Sequence, residues 1–440
     1  MFTKNKPYII SILTLALPVM IENILQTLLG TTDMFFAGQL GDDAIAAISV
    51  VNLIMNIWLA FYLAISIGIS AFLGRYIGRG EYVKASEIVK QAIMLGAAIS
   101  IVIGAISFVF YQPILASFQL DEAVMQYAVP YYMAVVMPSV FLCLSLILSS
   151  CLRATKNTKI PMLAIGFANV LNMILSYIFM KCGFGIIGLG VATTFARAVT
   201  VIILLVYLYR KETIIPITFK KWEWNVEYVR SIIKIGVPAG LEKAIMRIGQ
   251  VVYGTMILSL GKSSFVAHNI AGTIENYSYI PSVGFGVAAT VLVAICLGED
   301  NPLKARKITA IVYSMTASVM VVVGILFFMF APQIASMFSP TEEVQVLIVT
   351  VLRLIAFFQP VSALTHILTG ALQGAGDTKF PMYTTFLGIW GIRVGFGYIL
   401  AVICGFGLLG VWVAYAIDLS IRGILLLMRF LHGKWQRIVI

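Results

Sequence analysis

Charge is scarce in this chain. Asp, Glu, Lys and Arg make up 11% of its 440 residues, against about 25% in a soluble protein. Acids are the rarer sign, 19 against 30 Lys and Arg, and there are three histidines. His268, His366 and His432 form no H-E-x-x-H pattern. The five cysteines (Cys143, Cys151, Cys182, Cys296, Cys404) show no C-x-x-C spacing. No metal site, disulfide framework or catalytic constellation is readable, and neither an enzyme nor a bound cofactor is expected. The hydrophobic share is 60%, above the roughly 45–50% of a soluble domain. That excludes a soluble enzyme, a nucleic-acid reader and a disordered protein. The apolar residues run unbroken, unlike the alternating ~10-residue segments of an outer-membrane barrel. The fold expected is all-α and polytopic in a membrane.

A helix needs about 20 apolar residues to cross a bilayer. Breaks at Gly, Pro, Asp and basic clusters divide the chain into twelve such spans. Those of the first half are 7–31, 44–74, 88–110, 124–150, 159–180 and 186–209. Those of the second are 230–258, 264–296, 308–330, 344–371, 379–401 and 405–430. Lys4 and Lys6 precede the first run, and no small-residue cleavage site closes it, so it reads as a retained helix. With both termini cytoplasmic, 22 of the 30 basic residues fall in inside loops and helix ends and two, Lys181 and Lys262, outside. The positive-inside rule supports that topology in a cytoplasmic membrane, and it gives the net charge of +11 a cause other than nucleic acid.

The chain also repeats itself. An offset of 220 residues places Pro18 and Glu22 on Pro238 and Glu242, Gly41 on Gly261, and Thr158-Lys159-Ile160-Pro161 on Thr378-Lys379-Phe380-Pro381. Near the end of each half the offset is 222, Gly188 matching Gly410. Six spans per half give both halves the same orientation, so they read as two six-helix lobes, 1–209 and 230–440, related by a pseudo-twofold axis along the membrane normal. The polar stretch 210–229 reads as a cytoplasmic linker. Alternating access between two lobes would use such a duplication.

At this point the residues carry a family likeness. The first-helix stretch LPVMIENILQTLLGTTDMFFAGQLG resembles multidrug and toxic compound extrusion (MATE) transporters. So do GRYIGRGEYVKA, LRATKNTKIP, its counterpart LQGAGDTKFP, and GLGVATTFAR, so the likeness spans the whole chain. It implies efflux of bulky, amphipathic, usually cationic compounds in exchange for H⁺ or Na⁺. The chain looks closer to the DinF-like branch, whose coupling cation binds in the N-lobe. At the tenth-helix position where the NorM-like branch has an acid this sequence has Ser362, so the C-lobe acid cluster of that branch is not carried over.

Acids inside spans are costly and mark function by default. Five fall in the spans or at their ends: Glu22, Asp33, Glu242, Glu275 and Asp418. Asp33 is the first candidate for ion coupling, because no base lies within four residues of it. A carboxylate whose access to water changes between two states changes its proton affinity. The competing reading puts Asp33 at a hydrated helix end. The DinF-like pattern places an Asn and an Asp on the fifth helix and a Thr on the sixth around this acid. The Asn maps to Asn172 and the Thr to Thr193, but the second acid is replaced by Ser176. Na⁺ prefers several hard oxygens with compensating charge, so the departure favours H⁺.

Glu22 lies eleven residues before Asp33, about 20° from the same helix face. It and its repeat mate Glu242 could line a cavity or pair with nearby bases. The C-lobe spans hold more base, Lys243, Arg247, Arg353, Arg393 and Arg422, which either closes an ion network or meets an anionic group of the cargo. Pro18 removes a backbone hydrogen bond and is a candidate hinge. Tyr177, Tyr253, Tyr277, Trp390 and Trp412 offer aromatic faces to a cation, or pack. Gly236-x-x-x-Gly240 and Gly391-x-x-x-Gly395 read as close helix contacts. The leading expectation is a monomeric antiporter of small organic molecules. The alternative is a flippase for a lipid-linked anionic substrate.

Overall fold

In hydrocarbon each backbone polar group must be satisfied within the protein, and a helix does this inside a single segment. The computed structural model describes residues 2–210, 213–217 and 222–438, except for the side chains of residues 2–4. Residues 211–212 and 218–221 of the expected linker, with Lys211, Lys220 and Lys221 among them, lie outside the described residues. Among the described residues all regular structure is helical. In order it runs α1 (Phe2–Gly38), α2 (Asp42–Gly78), α3 (Tyr82–Val109), the short α4 (Tyr111–Ala116), α5 (Glu122–Val135), α6 (Val140–Ala154), α7 (Lys159–Lys181) and α8 (Gly185–Tyr209). After the linker come α9 (Val226–Leu258), α10 (Lys262–Ser278), α11 (Ile280–Gly298), α12 (Pro302–Phe338), α13 (Glu342–Gly374), α14 (Lys379–Phe386) and α15 (Gly407–His432). Between α14 and α15 the chain continues as π-helix over Leu387–Phe396 and Ile399–Ile403.

Ten helical segments are singly long and apolar enough to cross a membrane, and α5 with α6, bent by 45°, make an eleventh. The bend falls where Pro138 cannot donate a backbone hydrogen bond. The twelfth is α9, in which every eighteen-residue stretch holds at least three charged residues, Glu242, Lys243 and Arg247 among them in most. The protein is therefore an all-α polytopic membrane protein with twelve spans. Two differences from the sequence reading bear on the argument below. The span expected over 264–296 is broken at Tyr279, with Pro281 in the first turn of α11. The first helix continues past residue 31 to Gly38, which brings Asp33 inside it.

The duplication is written into the backbone. Left-handed or other positive-φ residues recur at the repeat offset: Gly41 and Gly261 (φ 119° and 108°), Gly80 and Asp300, Lys156 and Gly376. At the 222-residue offset they are Gly183 with Gly405 and Gly185 with Gly407. Lys156 and Asp300 hold this conformation despite their side chains, at roughly 1–2 kcal/mol each.

Contacts divide the chain into two compact units, Pro18–Gly240 and Met1–Leu17 with Leu241–Ile440. In the first, α2 packs on α3, α5 and α6, while α8 packs on α5, α6 and α7. Its core joins Phe36, Ile48, Val51, Tyr131, Tyr132 and Leu189. In the second, α13 packs on α11, α12 and α15, and α15 also packs on the π-helical stretch.

Gly236 and Gly240 do make a close helix contact. A Cβ on Gly236 would lie 2.7 Å from the Ala64 carbonyl oxygen, and one on Gly68 would lie 2.5 Å from that of Ile232. Gly391 and Gly395 do not: the atoms nearest a Cβ there belong to their own helical stretch, Leu387 and Trp390. Gly236→Val therefore forces α2 and α9 apart. We expect a loss of about 1–3 kcal/mol, read as a lower melting temperature of the detergent-solubilised protein, and no comparable loss for Gly391→Val.

Candidate ion-coupling site

The site is built by helix periodicity. On α7 the buried residues Ala164, Ala168, Asn172 and Ser176 recur every fourth position, while Leu163, Phe167, Val170 and Ile174 are exposed. This spacing places Asn172 and Ser176 one above the other on the inner face. On α8, Leu189, Thr193 and Ala196 face inward. On α1, Asp33 shares the buried side with Phe36 and Ala37.

These helices converge on the Asp33 carboxylate, which is 4% exposed. The hydrated helix-end reading is thereby excluded. Thr193 Oγ1 donates to it, 2.9 Å from Oδ2 and 3.2 Å from Oδ1. Tyr131 on α5 donates its hydroxyl to Oδ2 at 3.1 Å. Asn172 Nδ2 donates to Thr193 Oγ1 at 3.0 Å and so fixes the hydroxyl that reaches Asp33. Asn172 Oδ1 and Ser176 Oγ, both fully buried, have no hydrogen-bond partner. The acid is thus held by neutral donors beside two spare oxygen acceptors. In this arrangement the carboxylate is free of any salt bridge among the described residues and open to a proton. Tyr131 was invisible in sequence because it lies 98 residues from Asp33 and on an element read only as a span.

The two glutamates after the prolines occupy equivalent places. Arg153 Nη1 donates to both oxygens of Glu22 at 3.0 Å. Gln373 Nε2 donates to Glu242 Oε2 at 3.0 Å. Both pairs span 131 residues, and Arg153 and Gln373 are themselves 220 apart. The repeat therefore preserves the contact and exchanges Arg for Gln, while Lys243 Nζ stands 3.5 Å from Glu242. Of the two sequence readings for Glu22, cavity acid or ion pair, the geometry is that of a buried ion pair.

In the other unit the basic groups are also engaged. Asp418, fully buried, pairs with Arg393 and, at 2.7 Å, with Arg422. Arg393 sits on the π-helical stretch and stacks 3.9 Å from the Tyr415 ring centre. Gly388 leaves room for the pair, since a Cβ there would meet Arg422 Cδ at 2.9 Å. The hydroxyls of Tyr415 and Tyr279 are in contact, and Tyr279 donates to Glu275 at 2.6 Å. The C-half bases near Asp418 thus close an ion network, the first of the two sequence readings for them. Tyr253 is buried and donates to the Val411 carbonyl at 3.0 Å. Tyr177 is exposed, with Lys181 5.8 Å over its ring, and Trp390 is half-buried.

The MatE family model matches the chain twice, over residues 18–178 and 238–399, starting 220 residues apart. The chain belongs to the MatE family of transporters. It is a multi-pass membrane transporter and not an enzyme. Among curated relatives, "Probable multidrug resistance protein NorM" of Thermotoga maritima is 27% identical over 437 residues, 97% of this chain and 93% of that protein. "Multidrug resistance protein MdtK" of Edwardsiella ictaluri is 25% identical, covering 95% of this chain and 94% of its own. A crystal structure of MATE in the bent conformation superposes with TM-score 0.91 at 22% identity, over 97% of this chain and 96% of that one. A transporter of the MatE family needs no cofactor. Its Asp33, Asn172 and Thr193 come together in one hydrogen-bonded group, and Ser176 stands in the same buried row as Asn172.

Proposed function

We propose that this transporter is a secondary active antiporter of the DinF-like type that exports amphipathic, cationic organic compounds in exchange for H⁺. It acts as a monomer in a cytoplasmic membrane, with both termini inside, and its transport units are the repeat halves 1–209 and 230–440 joined by 210–229. The observation that carries this reading is Asp33: a buried acid whose contacts are neutral donors from α5 and α8. Proton binding there neutralises the site, and proton loss leaves a negative charge that must find water, a cation or a counter-charge. Ser176 in place of a second acid supports H⁺ over Na⁺. The division of α1 between units at Pro18 supports a hinge at that residue. The engagement of Arg393 and Arg422 by Asp418 weighs against an anionic lipid-linked cargo.

The test is efflux of a fluorescent organic cation from proteoliposomes under separate pH and Na⁺ gradients. Efflux driven by the pH gradient alone is expected. Efflux driven only by Na⁺ would overturn the choice of ion, and efflux of an anionic lipid-linked probe with none of the cation would overturn the cargo.

A further inference from the structure

Arg197 has no place in the mechanism above, yet it lies beside the site. It follows Thr193 by one turn on α8. The ionisable groups that act on its charge are Tyr131 on α5, Asp33 on α1 and Tyr62 on α2. Its Nη1 is fully buried and has no hydrogen-bond partner. The Asp33 carboxylate meanwhile accepts hydrogen bonds from Tyr131 and Thr193.

A buried guanidinium N–H without an acceptor is unfavourable, and Arg has a long side chain able to swing. Asp33 is the carboxylate among the groups that act on its charge. While Asp33 carries a proton it has little call for a counter-charge. Once ionised, it is the natural acceptor for a charge-assisted bond from the guanidinium.

We propose that Arg197 is a built-in counter-cation for Asp33: it pairs with the carboxylate when the coupling proton leaves, and its charge bars Na⁺ from the site. This rests on Asp33 being the coupling carboxylate. A Na⁺ among Asp33, Asn172, Ser176 and Thr193 would sit beside the guanidinium. Two unit charges about 6 Å apart at an effective dielectric of ~20 repel enough to weaken binding roughly a hundredfold. A proton escapes most of this penalty because it forms a covalent O–H bond and leaves the site neutral. Ser176 and Arg197 then act in one sense. The first omits a negative charge that would hold Na⁺, and the second adds a positive charge that repels it.

Direct binding of radioactive Na⁺ to the purified, detergent-solubilised protein tests this without any transport. Wild type is expected to bind Na⁺ weakly, and Arg197→Met about a hundredfold more tightly. Arg197→Lys, which keeps the charge, should resemble wild type. Asp33→Asn combined with Arg197→Met should lose the gain, which places the ion at the carboxylate. Should Arg197→Met fail to purify as a single species, Arg197→Gln removes the same charge with a polar side chain. Equal Na⁺ binding by the charged and uncharged variants, or tight binding by wild type, overturns the proposal. Failure of pH-driven transport in wild type would instead overturn the coupling role of Asp33, so the two can fail separately.

Discussion

Asp33→Asn will reduce gradient-driven efflux to the level of empty vesicles while leaving the fold in place. Asn is close in shape to Asp and keeps an oxygen to accept from Tyr131 and Thr193, which hold the present side chain at 3.1 and 2.9 Å. It cannot take up or release the proton. The variant should therefore melt within about 2–4 °C of wild type, the shift that 1 kcal/mol produces in a domain of 150–250 residues. Efflux and melting must be read on one preparation, because lost transport in a misfolded sample says nothing of coupling. A correctly folded Asp33→Asn protein with wild-type efflux would remove Asp33 from the mechanism.

Asp418→Ala will unfold the other unit more readily than any single change at the coupling site. Asp418 is fully buried and balances two guanidinium groups, whose side chains are 12% and 7% exposed. Removing it leaves both charges buried without their partner, a loss of about 3–5 kcal/mol. Replacing the triad together, Arg393→Met with Asp418→Leu and Arg422→Met, should recover most of that loss, since apolar groups of similar volume often serve as well as a buried ion network. Thermal melting of the two variants distinguishes a structural network from a dispensable one. Wild-type melting of Asp418→Ala would mean that the two arginines find other acceptors.

The membrane made much of this fold legible. Hydrocarbon thickness fixes the length of a span, so twelve apolar runs could be counted without any contact being known. The repeat was legible for the same reason that the positive-φ turns recur: Gly41 and Gly261 each start a helix with a backbone that favours glycine. The inner face of α7 follows from fourfold spacing through Asn172 and Ser176. What the sequence hides is pairing across helices. Tyr131 and Asp33 are far apart in the chain, and so are Glu22 and Arg153, whose base reads as an ordinary loop charge. One signal for that pair was present and subtle: Arg153 and Gln373 stand at the repeat offset, as do Glu22 and Glu242. The break at Tyr279 did have a signal in Pro281, which suits the first turn of a helix. The π-helical turns around Arg393 have none.

The most direct test of the central claim is proton release on substrate binding. The purified protein in weakly buffered detergent solution, with a pH indicator, receives an organic cation that it exports. If cargo and proton exchange at Asp33, wild type releases protons in proportion to bound substrate, and Asp33→Asn binds substrate without releasing them. Substrate binding to wild type with no proton release, or equal release from both proteins, would contradict H⁺ exchange through this carboxylate.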